Sequence, residues 1–251
     1  MDRVGLKKIN KYGDCIKVVG YKDCHHCDIE FDNGYVLHDV DYRQFERGTA
    51  KSPFSKVVYN IGYMGIGKYK AVDPNGKAYK QYQSWKNMLR RCYDKKFHEN
   101  NKTYVGCSVC EEWLNFQNYA KWYDENYYII KGHKMELDKD ILVKHNKIYS
   151  PDTCIFVPQK INGLFIKNER IRGDMKIGAM YKKTNGYKYI ASQCSINNKI
   201  KSTLCNTEEE AFQLYKFNKE KEIKRIAEEF KNFIPEKLYN AMINYIVEDD
   251  D

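Results

Sequence analysis

Between residues 14 and 58 apolar and polar positions alternate in short runs, the pattern of half-buried strands. Ile16-Lys17-Val18-Val19 and Asp28-Ile29-Glu30-Phe31 are two such runs. Asp32-Asn33-Gly34 then supplies the positive φ angles of a tight hairpin turn before Tyr35-Val36-Leu37. The stretch predicts a small β-barrel or curled sheet. Gly62, Gly65 and Gly67 punctuate a loop, after which the period changes. Tyr82, Trp85, Met88, Leu89 and Cys92 recur at helical spacing, with Lys86, Arg90 and Arg91 on the other side. A second helical stretch from Glu111 to about Tyr123 aligns Trp113, Phe116, Tyr119 and Trp122 as a core stripe. Strand-like pieces return at Met135-Glu136-Leu137 and Cys154-Ile155-Phe156-Val157, on either side of a polar loop that holds Asn146.

The last third predicts three strands, at residues 176–182, 187–195 and 199–204, joined by Asn185-Gly186 and Asn197-Asn198 turns. A helix follows. The Thr207 hydroxyl can cap its free N–H groups, while Glu208, Glu209 and Glu210 suit the positive end of its dipole. The helix continues through Phe212, Tyr215, Phe217, Ile223 and Ile226 to about Phe230. Pro235 opens a short final helix ahead of an acidic tail from Glu248 to Asp251. The expected fold class is α+β in three modules: a β-barrel-like domain at 1–60, a central module at 61–172, and a three-stranded sheet with helices at 173–251.

Lysine and arginine number 43 against 34 acidic residues, a surplus of +9 that directs attention to nucleic acid as a partner. No run of about eighteen apolar residues occurs, and the opening Met-Asp-Arg-Val has no apolar core for a secretory signal, so a cytoplasmic location with no membrane partner is expected. Nine cysteines, an odd count, then read as reduced thiols. Cys24-His25-His26-Cys27 and Cys107-Ser108-Val109-Cys110 each have the spacing of a zinc half-site. They fall in different modules, and the second sits among core aromatics, so structural zinc is not expected. Gly62-Tyr63-Met64-Gly65-Ile66-Gly67 lacks the Lys-Ser/Thr of a phosphate-binding loop.

From Lys176 to Cys205 the chain carries Lys176, Lys182, Lys183, Lys188, Lys199 and Lys201 with no acidic residue, and Tyr181, Tyr187 and Tyr189 are interleaved. Such a sheet suits the phosphates of double-stranded DNA. Alternation puts Tyr187 and Tyr189 on one face and Lys188 on the other, so only part of the set can touch DNA. Arg90 and Arg91 join it as candidate DNA contacts. The run Gly186-Tyr187-Lys188-Tyr189-Ile190-Ala191, followed by Lys201-Ser202-Thr203-Leu204-Cys205-Asn206-Thr207-Glu208-Glu209-Glu210-Ala211, resembles the AP2-type DNA-binding domain. That resemblance implies a sheet that enters the major groove and a helix that braces it. Cys205 stands where the family normally has glycine.

A second resemblance lies upstream. Tyr82, Trp85, Met88-Leu89, Arg91-Cys92-Tyr93, Val109-Cys110, Glu112-Trp113 and Phe116, then Leu137-Asp138-Lys139-Asp140-Ile141, Asn146, Tyr149-Ser150-Pro151 and Cys154 to Pro158, resemble phage-encoded proteins grouped with HNH homing endonucleases. Many of those also carry an AP2-like tail. The resemblance implies metal-dependent hydrolysis of DNA with Mg²⁺ or Mn²⁺. It places Asp138 at the first metal ligand, Lys139 where the histidine base normally stands, and Asp140 or Asn146 in supporting positions. A lysine with the usual pKa of about 10.4 is a poor base at neutral pH. One alternative has Asp138 and Asp140 holding the metal, His133 or His145 serving as base, and Lys139 contacting the phosphate. The other is a degenerate nuclease fold kept for binding, acting as a phage regulator or as an inhibitor of a host defence protein.

Overall fold

The computed structural model describes residues 3–165, 175–184, 187–196 and 199–248, and forms a mixed α+β protein with several small sheets. The chain divides into two compact units: residues 1–127 with 147–152, and residues 128–146 with 153–251. The first division falls inside the stretch read from sequence as one central module. The boundary expected at 172/173 and the two Asn-containing turns lie outside the described residues. No described helix is long and apolar enough to cross a membrane.

The first unit begins with four antiparallel strands in sequential order: β1 (Lys7–Ile9), β2 (Cys15–Asp23), β3 (His26–Phe31) and β4 (Val36–Val40). The alternation seen in sequence places Ile16, Val18, Cys27, Ile29 and Phe31 in one core with Tyr42, Phe45 and Ala50. The sheet is an open meander with β1 and β4 at its edges, so barrel closure is not made among the described residues. A short helix, α1 (Tyr42–Glu46), covers it, capped by Asp41, whose carboxylate accepts from the Arg43 N–H. The alternation pattern gave no sign of that helix.

The aromatic half of this unit is built on α2 (Lys80–Tyr93), followed by α3 (Lys95–Asn100) and the short strand β5 (Ser108–Val109). The expected single helix from Glu111 is two: α4 (Glu111–Leu114) and α5 (Phe116–Asn126). Asn115 breaks it. Its backbone is extended and its side chain caps Gln117 N–H. Trp85 is fully buried against Phe116, with ring centroids 5.3 Å apart, and its indole N–H donates to the Trp113 carbonyl at 2.7 Å. Strand β7 (Ile148–Tyr149) pairs in parallel with β5 and buries Tyr149.

The second unit holds an antiparallel pair, β6 (Met135–Asp138) and β8 (Ile155–Pro158), followed at once by α6 (Gln159–Asn162). Three antiparallel strands come next, β9 (Ala179–Thr184), β10 (Tyr187–Ile196) and β11 (Lys199–Cys205), with β10 in the centre. Helices α7 (Glu208–Phe230) and α8 (Glu236–Ile243) close the unit. Thr207 caps α7 as its sequence implies, accepting from the Glu210 N–H at 3.1 Å. At 23 residues α7 is about 34 Å long. Its first turns pack Ala211 with Ala179, Ile190 and Cys205 beneath the sheet. Its last turns pack Ile223, Ile226, Ala227 and Phe230 with Ile155, Val157 and Ile161 of the hairpin and with Leu238 and Met242 of α8. One helix therefore joins the three-stranded sheet rigidly to the β6–β8 hairpin.

Candidate functional site

Asp138 ends β6 opposite Ile155 of β8. Its Oδ1 accepts the backbone N–H groups of Asp140 at 2.9 Å and Ile141 at 2.7 Å, which turns the chain sharply and sets Ile141 into the core. The Asp140 carboxylate lies against the Asp138 carboxyl. Burial, then the charge of Asp140, pushes the Asp138 pKa up to about 6 despite the two backbone donors. Lys139 is buried, with its ammonium 2.8 Å from Asp140 Oδ2. Asn146 Nδ2 donates to the Lys139 carbonyl at 2.7 Å and so closes the loop over the strand end.

The two candidate histidines are engaged elsewhere. His145, in a left-handed conformation at φ 60°, turns its Nε2 to 3.8 Å from Glu248. The His133 ring meets Phe230 edge-on at 5.1 Å. Two polar residues not anticipated from sequence also belong to this hairpin. Glu136 shares the Asp138 face of β6, two residues away, and accepts from Asn162 Nδ2 on α6 at 2.7 Å. A strand residue and a helix residue 26 apart carry no local pattern that would pair them.

Among the described residues no group of three or more His, Cys, Asp or Glu side chains is placed to hold a metal ion. Asp138 and Asp140 nevertheless suit a hard divalent cation. They are adjacent carboxylates, the Asp138 pKa being raised first by burial and then by the Asp140 charge, and Mg²⁺ commonly takes one or two carboxylates while keeping several waters.

The register of β9, β10 and β11 resolves the lysine-rich sheet into two faces. Lys199 and Lys201 pair with Ile196 and Cys194. Cys194 is buried beside Lys219 and Glu222 of α7, so those two lysines lie on the helix side, where they are exposed. Lys182 belongs to the open face together with Gln193, Ser195, Ile200, Ser202 and Leu204. The backbone positions of Lys183 and Lys188 share the helix-side face, and those of Tyr187 and Tyr189 the open one. The side chains of these four lie outside the described residues. Lys176 does not extend the basic surface: its ammonium pairs with Glu209 at 2.6 Å and lies over the Phe212 ring.

In the first unit Arg90 sits over Phe97 and reaches Asp94 at 3.5 Å, and Arg91 hydrogen-bonds the buried Tyr149 hydroxyl. The cysteine pairs are split by burial, with Cys27 in the sheet core and Cys24 exposed, Cys107 buried and Cys110 partly so. No family model, no curated protein and no solved structure matches this chain.

Proposed function

We propose that this chain is a DNA-binding protein of the HNH-endonuclease kind, with a hydrolytic centre at Asp138 and Asp140 and a DNA-reading sheet of the AP2 kind. The observation that carries the proposal is the strand–loop–strand–helix unit of β6, β8 and α6, whose loop Asn146 clamps at the carbonyl of Lys139. Helix α7 spans from that hairpin to the sheet, so a duplex held on the sheet would keep a fixed relation to the hairpin. A divalent ion bound by the two aspartates would neutralise charge that builds on the scissile phosphate. Asp138 is the ionised ligand this requires only above about pH 6, so activity falls as pH drops through that value. Lys139, buried and paired with Asp140 at 2.8 Å, would offer its cation to a phosphate oxygen on exchange of that pair.

The second reading, a binding-only protein that regulates phage genes or blocks a host defence protein, is favoured by the Lys139–Asp140 ion pair and by the engagement of His145 and His133 elsewhere. Supercoiled plasmid separates the two. With Mg²⁺ or Mn²⁺ the wild type should nick it, and Asp138→Ala should abolish nicking while duplex binding persists. A wild type that binds duplex yet nicks nothing with either metal supports the second reading and removes the first.

A further inference from the structure

The positive surplus of this protein is not confined to the sheet. Residues 47–102 hold thirteen lysines and arginines against three acidic residues, an excess of ten in a chain whose total is +9. Lys51, Lys56, Lys68, Lys70, Lys77, Lys80, Lys86, Lys95, Lys96 and Lys102 are all exposed and make no ion pair among the described residues. Three lysines of the second unit are paired instead. Lys160, Lys176 and Lys216 are neutralised by Glu229, Glu209 and Glu220.

Helix α2 gives this charge a shape. Trp85, Met88, Leu89 and Cys92 bury one face. Lys80, Gln83, Lys86, Asn87 and Arg90 are exposed and fall within an arc of about 120° on the opposite side. The helix has no acidic residue along its 14 positions, and at about 21 Å it spans four turns. Cations alternating with carboxamides are the side chains that meet phosphates and base edges. No large apolar residue interrupts the stripe, whereas the core of a protein–protein interface is apolar. An α-helix fits the major groove of B-DNA, while the deep, narrow major groove of A-form RNA excludes it.

We infer that the exposed face of α2 is a second duplex-DNA binding surface, with Lys80, Lys86 and Arg90 on phosphates and Gln83 and Asn87 at base edges. The inference rests on the DNA-binding part of the proposed function and not on cleavage.

Salt titrations of duplex binding by the full chain test it, with folding of each variant checked by its melting curve. Lys80→Ala/Lys86→Ala should weaken binding to all sequences and reduce the log–log salt slope by about two, at roughly 0.9 for each phosphate no longer neutralised. Gln83→Ala/Asn87→Ala should keep the slope and narrow the gap between preferred and random sequence. A triple Lys182→Ala/Lys199→Ala/Lys201→Ala variant reports on the sheet independently. If only that triple variant loses slope, α2 is a solvated face and the inference fails while DNA binding stands. If the wild type binds no duplex at about 50 mM salt, the DNA reading fails with it. Tighter binding to duplex RNA than to DNA of the same sequence overturns the assignment of partner.

Discussion

Replacing Asp138 by Asn tests the chemistry of the hairpin through stability alone. The carboxyl has a folded-state pKa of about 6 against an ordinary value of 3.8, because burial and Asp140 both disfavour its charge. Below the ordinary value the group is protonated in both states and costs nothing. As pH rises from there through 6 the folded state retains a proton that the unfolded state has released, so stability falls, then levels off. A gap of about two units corresponds to up to about 3 kcal/mol lost at pH 8. Asn has the same shape, and its oxygen can still accept from the Asp140 and Ile141 N–H groups at 2.9 and 2.7 Å. Its amide would donate to the Asp140 carboxylate where a charge now repels it. Asp138→Asn should therefore match the wild type near pH 4 and melt roughly 6 to 12 °C higher at pH 8. Added Mg²⁺ at pH 8 should raise the wild-type midpoint and leave the variant unchanged. Parallel pH profiles for the two proteins, or a variant weaker at every pH, would refute the account of a carboxyl whose charge is disfavoured by burial and by Asp140.

Two local features of the second unit have their own expected outcomes. Gly178 stands at φ 77°, and a Cβ there would lie 2.0 Å from the Tyr215 ring. Gly178→Ala should thus force β9 off α7 and cost at least about 2 kcal/mol in chemical denaturation, whereas an effect below about 0.5 kcal/mol would show that the packing yields. Thr207→Ala removes the acceptor for the Glu210 N–H and should cost about 1 kcal/mol, while Thr207→Ser restores it; equal losses in both variants would refute the capping role.

What sequence revealed and what it hid follow the range of the interactions. Thr207 and its three glutamates mark the start of α7 because a cap is a bond between neighbours. The aromatic stripe of α2 was equally plain, since burial repeats with the turn of the helix. Asn115 breaks a helix that its flanking aromatics favoured, and only its Asx bond to Gln117 gives the reason. Strand alternation already implied that the lysines of residues 176–201 divide between two faces, but not which face the helix covers. Register supplies the assignment, with Lys199 and Lys201 on the α7 side and Lys182 opposite. At the hairpin, Asp138 and Asn146 were singled out by a family resemblance and not by any spacing of their own. Glu136 and Asn162 were not, because a bond across 26 residues depends on how α6 lands. The β5–β7 pairing, made by two dipeptides forty residues apart, leaves no periodic trace at all.

That pairing constrains how the protein is made and how it can be reshaped. Strand β7 belongs to the first unit but is encoded after the opening segment of the second, so the chain passes between units at 127/128, 146/147 and 152/153. During synthesis β5 must wait, unpaired, for Tyr149 to emerge, a delay on the order of two to eight seconds. A fragment ending at Tyr127 would lack the strand that covers Val109 and the hydroxyl that holds Arg91. Recombination meets the same constraint. A single crossover between two related genes would leave one of the two units with a foreign strand, so an exchange of the whole second unit requires three junctions, at 127/128, 146/147 and 152/153.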